Sequence, residues 1–284
     1  MIPASFDYVA PKTVKEAVRL LGKRGAKVMA GGQSLLALMK LRATAPKTVV
    51  DLSRIRGLSY IREAGGRLRI GAMTTHAEIE RSALIHRRCL VLAEAAEQIG
   101  DLQVRNRGTI GGSLAHADPA ADYPAAFLAL GGSVVVQGPK KARTISADQF
   151  FTGLFETALK SGEVITEIQI PLTPVIKGSA YRKMKHPASG FAIVGAAAVL
   201  RAGKAGDQQV CLAFNGAAAH AFRATQVEAA LQGKAVSEAA VRAAMERAPD
   251  GVEMLEDLAA DQVYRAHLVR VFGRRALLAA AGQA

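Results

Sequence analysis

Two glycine segments constrain this chain more than any other feature. The first reads Ala30-Gly31-Gly32-Gln33-Ser34-Leu35-Leu36. The second reads Thr109-Ile110-Gly111-Gly112-Ser113-Leu114-Ala115-His116-Ala117-Asp118-Pro119-Ala120-Ala121-Asp122. Glycine has no Cβ, so backbone N–H groups there can converge on one cavity and a ligand can come close. A nest of that kind binds an anion without a formal charge. Two nests about eighty residues apart suit the two halves of one extended diphosphate ligand.

The usual nucleotide signatures are missing. No G-x-G-x-x-G follows a strand and opens a helix, and no G-x-x-x-x-G-K-(S/T) occurs, which argues against a Rossmann site and a P-loop. There is no G-x-S-x-G elbow of a serine hydrolase. His116, Asp118 and Asp122 form an H-x-D-x-x-x-D run, but Pro119 interrupts it and no second His or Glu cluster has ligand spacing. The run reads as non-metal, with Asp122 accepting hydrogen bonds from ligand hydroxyls. His76, His86, His186, His220 and His267 are scattered and read as surface or cap residues.

The 284 residues suffice for two or three compact units. Half are hydrophobic, 5% are aromatic and none is tryptophan, so a core of Ala, Leu, Val and Ile is expected. The formal charge is +13, and residues 1–60 hold 11 Lys or Arg against 3 Asp or Glu. No nucleic-acid motif and no basic run interleaved with aromatics accompanies that excess, so nucleic-acid binding is disfavoured. Cys89 and Cys211 are the only cysteines, too few for a zinc or iron–sulfur site within the chain. They suggest a reducing compartment. The N-terminus lacks a signal-peptide pattern, and the longest apolar run, Phe191 to Leu200, is about half a membrane span. A cytoplasmic protein is expected.

Along the chain, Thr13 and Glu16 form a T-x-x-E box ahead of a helix that Gly22 or Gly25 ends, and Thr75 and Glu78 repeat the box. Residues 27–30 predict a buried strand running into the first glycine turn, and residues 34–41 a helix. A strand is expected at 48–52. Leu58 to Ile61 and Leu68 to Ile70 predict a hairpin around Gly65-Gly66. One helical stretch is expected over 76–99, and another helix near 124–130. A hairpin is expected at Gly138-Pro139, and a strand at 164–170. Pro171 to Pro174 marks a boundary. Beyond it, three antiparallel strands near 181–185, 191–200 and 209–214, with a turn at 203–207, are followed by helices near 225–232, 237–247 and 262–281. This is a sheet with helices on one face.

The two glycine segments also carry a family resemblance. The patterns A-G-G-x-S-L and T-I-G-G-(N/S)-x-A-x-x-(D/S)-P-x-x-D are those of the FAD-binding medium subunit of the molybdenum hydroxylases, the carbon monoxide dehydrogenase and xanthine dehydrogenase type. Arg105-Asn106-Arg107-Gly108 is similar to the family's R-N-x-G. The stretch from Glu163 to Pro171 resembles its E-(I/L)-(I/L)-x-x-(I/V)-x-(I/V)-P, with Val164 a departure. Tyr181-Arg182-Lys183 and Ala188 to Ala192 resemble the start of its C-terminal domain.

The resemblance implies an α+β fold. An FAD-binding domain of the vanillyl-alcohol-oxidase or PCMH type would span 1–174 in subdomains of about 1–56 and 57–174, and a C-terminal α+β domain with a three-stranded antiparallel sheet would span 175–284. It implies FAD contacts from Ala30, Gly31, Gly32, Gln33, Ser34 and Leu35. Thr109, Ile110, Gly111, Gly112 and Ser113 would contribute from the other side, with Ala117 and Asp118 adjoining. Asp122 would meet ribityl or ribose hydroxyls. Ile165 and Phe191 would lie near the flavin, and Lys183 or Lys185 would face its polar edge. Ser113 stands where several relatives carry Asn, and Phe191 where some carry an aromatic hydroxyl, so Phe191 can stack but cannot hydrogen-bond.

The resemblance further implies no catalytic side chain and no metal on this chain. The molybdenum cofactor would sit on a large partner subunit and [2Fe–2S] clusters on a small one, in a dimer of heterotrimers that passes electrons to an external acceptor. Positive charge from residues 1–60 would favour reduced, anionic flavin. A stand-alone FAD oxidoreductase of the same fold and a non-enzymatic partner-binding protein are the competing readings.

Overall fold

The computed structural model describes residues 2–203 and 208–282, so all of the turn expected at 203–207 except Gly203 lies outside the described residues. The chain begins β1 (Asp7–Val9), α1 (Val14–Leu21), β2 (Ala26–Met29), α2 (Leu35–Lys40) and β3 (Thr48–Asp51). Thr13 accepts from the Glu16 N–H at 3.2 Å. The return bond of the expected capping box goes instead from the Lys12 N–H to Glu16. α1 ends at Gly22. The strands form a parallel sheet in the order β1-β3-β2. Val50 of the central strand and Ala17, Val18, Leu20 and Leu21 of α1 share one small core.

A longer stretch follows: β4 (Ile61–Ala64), β5 (Arg67–Gly71), α3 (His76–Arg81), α4 (Ala83–Arg88), α5 (Leu90–Glu97), α6 (Leu102–Arg105), α7 (Ile110–His116), α8 (Tyr123–Ala129), β6 (Ser133–Gln137), β7 (Ala142–Ser146), β8 (Phe151–Gly153), β9 (Glu156–Thr157) and β10 (Val164–Pro171). The hairpin at Gly65-Gly66 is present, with its first strand starting at Ile61 opposite Ile70. Five strands form an antiparallel sheet in the order β4-β5-β10-β6-β7. Leu68, Ile70, Val134, Val136, Ile168 and Ile170 point to the side where α3, α5, α7 and α8 pack. This is the alternation of a half-covered sheet. The single helical stretch expected over 76–99 is three helices. Ser82 turns extended and caps α4 by accepting from the Ile85 N–H, and Cys89 leaves helical geometry at φ −151°. The Thr75–Glu78 box is complete in both directions.

The last part comprises β11 (Ile176–Lys185), β12 (Ala192–Ala202), β13 (Gln208–Asn215), β14 (Phe222–Arg223), α9 (Thr225–Leu231), α10 (Glu238–Met245) and α11 (Gln262–Ala281). The three expected antiparallel strands are there, and the two-residue β14 adds a fourth in the order β11-β12-β13-β14. The sheet is covered on both faces, not one. Ala196, Ala198, Leu200, Leu212 and Phe214 pack with α11, α10 and α9. Tyr181, Ala197, Val199, Cys211 and Ala213 face the other way and join the core of α5 and α8. The alanine run of β12 is why both sides come close: small side chains serve both cores, and neither face is left for solvent.

Two buried arginines tie this sheet to its surroundings. Arg201 donates to the carbonyls of Pro174 (2.7 Å), Leu130 (2.9 Å) and Pro171 (3.1 Å). Arg265 of α11 donates to the carbonyls of Ile193 (2.6 Å) and Gly216 (2.5 Å) and pairs with Asp257. Replacing Arg265 by Met leaves two buried carbonyls without donors. The expected cost is about 2–4 kcal/mol, read as a lower melting temperature. An unchanged melting temperature would show that Arg265 is not a clasp.

Candidate functional site

The two glycine segments touch. A Cβ on Gly31 would lie 2.0 Å from the Arg107 carbonyl oxygen and 2.7 Å from the Gly108 Cα. Only a residue without a side chain lets the turn after β2 rest on the backbone ahead of α7. Gly32 then turns the chain at φ +77°, a conformation that glycine adopts freely. α2 starts with bonds from the Leu36 N–H to Gly32 (3.1 Å) and from the Leu38 N–H to Ser34 (3.1 Å). The N–H groups of Gly31, Gly32, Gln33, Ser34 and Leu35 find no acceptor among the described residues. All five residues line a cavity of about 450 Å³. Unpaired backbone donors along a cavity wall suit an anion.

The second segment works differently from the expected open nest. Gly111 and Gly112 lie within α7, whose N-cap is Thr109. The first donors of that helix are already paired: the Ile110 N–H with Thr74 (3.1 Å), the Gly111 N–H with Ala72 (2.9 Å) and the Gly112 N–H with the Thr109 hydroxyl (3.2 Å). A Cβ on Gly111 would come within 2.6 Å of Ala72, so this glycine sets how deep the helix seats. Thr109, Gly112 and Ser113 form cavity wall, as do Ala30 and Asp118, whereas Ile110, Gly111 and Ala117 stand behind it. Ala117 ends α7 in the left-handed region at φ 50°, where glycine is usual. The turn that follows is stitched to the last sheet by the Gly216 N–H to Pro119 (2.6 Å) and the Ala192 N–H to Ala120 (3.3 Å).

Behind the wall lies a buried ion pair. Lys183, with no side-chain exposure, donates to Asp122 Oδ1 at 2.8 Å. It also donates to the carbonyls of Gln98 (2.9 Å) and Gly190 (2.9 Å). Tyr181 donates to the same Asp122 oxygen at 2.6 Å. Burial pushes the Asp122 carboxyl up to about 6, against the opposing pull of Lys183. Asp122 lines the cavity; Lys183 does not. All three ammonium donors of Lys183 are spent on the frame, and it is this lysine, not the exposed Lys185, that the fold uses. Phe191 stands at the cavity rim, 47% exposed. Ile165 is off the wall: its side chain is buried in the core of the five-stranded sheet, with Val136 its cross-strand partner.

Several cavity residues lie outside the sequence expectations, among them Met29, Ile99, Val104 and Gly108, and His76, expected at the surface or in a cap, is instead buried in the wall. His76 is 4% exposed and lines the cavity. Its ring meets Tyr123 edge-on at 5.2 Å, and its Nε2–Cδ2 edge fills the space that a Cβ on Gly108 would need. Burial, with the nearby Arg105 charge, lowers its pKa to about 4. The sequence signal was available in two parts: the position directly after the Thr75 cap, and a glycine at 108 that no turn requires. Among the described residues, no three His, Cys, Asp or Glu side chains gather as a metal site, and no helix is long and apolar enough to cross a membrane.

Two outcomes follow from this geometry. Gly31→Ala is expected to separate the two segments and lower the melting temperature by several degrees, because the new methyl meets backbone that cannot rotate away. An unchanged melting temperature would contradict the contact. The second outcome concerns pH. His76 binds protons more weakly folded than unfolded, so it contributes stability above its unfolded pKa that is lost as pH falls from about 6.5 towards 4. Asp122, raised to about 6, acts in the opposite sense. Replacing His76 by Gln removes only the first effect. The variant is therefore expected to lose less thermal stability than the parent between pH 6.5 and 4. Parallel melting curves for the two proteins would contradict this.

Residues 4–173 match the FAD-binding domain family of molybdopterin dehydrogenases, and residues 179–280 match the C-terminal domain family of the CO dehydrogenase flavoprotein. The carbon monoxide dehydrogenase medium chain of Hydrogenophaga pseudoflava is 42% identical over 99% of this chain and 98% of its own length. The nicotine 6-hydroxylase medium subunit of Paenarthrobacter nicotinovorans is 35% identical over 96% of each. A solved carbon monoxide dehydrogenase from H. pseudoflava superposes with a TM-score of 0.95 at 43% identity, covering 100% of this chain and 99% of that one. Quinoline 2-oxidoreductase from Pseudomonas putida 86 superposes with a TM-score of 0.92 at 31% identity, covering 99% of each. With its paired domains, fold and cavity, the chain belongs to the molybdenum hydroxylase family, as an oxidoreductase subunit built on that family's FAD-binding and C-terminal domains.

Proposed function

We propose that this chain is the FAD-carrying medium subunit of a heterotrimeric molybdenum-dependent hydroxylase or dehydrogenase. In this reading it takes electrons from [2Fe–2S] clusters of a small partner subunit, with the molybdenum cofactor on a large one, and passes them to an external acceptor. The observation that carries the proposal is the row of five unpaired N–H groups from Gly31 to Leu35, opening on a cavity whose other wall is Thr109, Gly112 and Ser113. When bound, the isoalloxazine supplies the redox chemistry, and the protein supplies binding, orientation and electrostatics.

Each residue has a role in this reading. The 31–35 donors and the Ser34 and Ser113 hydroxyls hold the diphosphate. Asp122 accepts from sugar hydroxyls with the oxygen that Tyr181 and Lys183 leave free. Lys183 fixes Asp122 and, through the Gly190 carbonyl, the loop that presents Phe191. Phe191 covers the ring and keeps solvent from it. No side chain of the chain takes part in bond making. The division into an FAD-binding domain over 1–174 and a C-terminal domain over 175–284, assembly as a dimer of heterotrimers and a cytoplasmic location belong to the same proposal.

The test is an absorption spectrum of the purified chain, together with analysis of the cofactor released by heat. Maxima at roughly 370 and 450 nm, with FAD and not FMN released at about one per chain, are expected. Co-expression with candidate large and small subunits should yield a complex that copurifies. A chain that stays colourless with FAD, alone and with its partners, would overturn the reading.

A further inference from the structure

His76 occupies a place in the cavity wall that the roles above do not explain. Its backbone is tied to Gly108, and its imidazole is held on two sides. The His76 N–H bonds the Gly108 carbonyl at 3.0 Å. The ring stands edge-on to Tyr123, and its Nε2–Cδ2 edge lies on Gly108, itself a cavity-wall residue. The space is reserved, since a Cβ at position 108 would fall 2.5 Å from Nε2 and 2.7 Å from Cδ2. The remaining nitrogen, Nδ1, is sealed from solvent and has no partner among the described residues.

That orphan nitrogen bears on the tautomer. A neutral imidazole carries one N–H and one lone pair. Burying an unpaired N–H costs more than burying an unpaired acceptor. An unpaired Nδ1 therefore favours the tautomer with its proton on Nε2, at the edge that lies on Gly108. Burial keeps the ring uncharged at neutral pH, so it offers a directed donor and no cation.

We infer that His76 is a cofactor-contacting residue whose Nε2–H donates to the diphosphate stretch of the bound dinucleotide, opposite the Gly31–Leu35 donors. The inference rests on the FAD reading above. It gives the second glycine segment a donor that its own backbone lacks, because the N–H groups of Ile110, Gly111 and Gly112 are already paired. It also explains the glycine of R-N-R-G: Gly108 is there to admit the imidazole.

The experiment measures binding of FAD, and of riboflavin as a phosphate-free probe, to the full-length apo chain by flavin fluorescence. Parent, His76→Gln and His76→Leu are compared. Gln keeps a neutral donor; Leu fills the space without one. Leu should raise the FAD Kd about tenfold or more, the loss of one hydrogen bond to a charged group, while the riboflavin Kd changes less than twofold. Gln should restore most of the FAD affinity. Equal FAD affinity in Leu and parent, or an equal loss for riboflavin, overturns the inference. Failure of the parent to bind FAD, both alone and in complex with its partner subunits, overturns the flavin reading, and this inference with it. If the Leu variant does not fold, nitrogen-15 NMR of the parent imidazoles decides. The proton must sit on His76 Nε2, and that resonance must shift with FAD and not with riboflavin. A proton on Nδ1 or an unmoved resonance is equally fatal.

Discussion

The structure depends on a contact made without a side chain. Gly31 rests against the Arg107 carbonyl at a distance no Cβ would permit, and this brings the turn after β2 onto the segment that leads into α7. The three-stranded parallel sheet and the five-stranded antiparallel sheet are separate pieces of secondary structure with largely separate cores, Val164 of β10 reaching into the smaller one. What makes one cavity of them is this seam. Gly111 against Ala72 repeats the device one turn later, so the helix lies deep enough for Thr109, Gly112 and Ser113 to form the facing wall. Neither glycine is chosen for flexibility; each is chosen for what it leaves empty.

The electrostatics follow from that choice. A site made of backbone N–H groups holds an anion by dipoles fixed before the ligand arrives, and it needs no counter-ion that a partner or salt could displace. Of the eleven Lys and Arg in residues 1–60, only Lys27 lines the cavity. The basic excess of that region is therefore mostly a property of the outer surface, and the expectation that it tunes the flavin as a group narrows to one residue. The charges that do sit close, Lys183 and Asp122, are buried against each other and against carbonyls. Breaking one partner of such a pair leaves the other stranded, so the pair works as a joint. Through it α5, the 118–122 turn, β11 and the Phe191 loop keep their relative positions.

Much of this was legible in the sequence because local rules and tertiary demands agreed. Thr75 and Glu78 cap a helix, Gly65-Gly66 turn a hairpin, and the paired glycine segments mark the cavity. The misses came where tertiary contacts overrode local preference. Gly111-Gly112 reads as an open nest, since glycine is a poor helix former, yet carbonyls of Ala72 and Thr74 and the Thr109 cap hold it as the first turn of α7. The stretch 76–99 is apolar enough for one helix, and the breaks at Ser82, which caps α4, and at Cys89 emerge only in the fold. The second face of β12 was hidden because an alanine run looks the same whether one side or both are covered. Ile165 is an ordinary strand residue in pattern, and nothing in its spacing separates a core position from a cavity position. His76 reads as a surface or cap residue because a lone histidine carries no spacing signal, whereas in the fold it is buried against Gly108.

The central claim is that the Gly31–Leu35 amides are the anion-binding surface. Hydrogen–deuterium exchange of the full chain, with and without saturating FAD, tests it most directly. Amides without a partner exchange fast until a ligand oxygen accepts from them. Strong protection of the 31–35 amides is expected on adding FAD, with little change at Ile110 and Gly111, which are already paired. Protection confined to the α7 segment, with 31–35 exchanging as before, would contradict it.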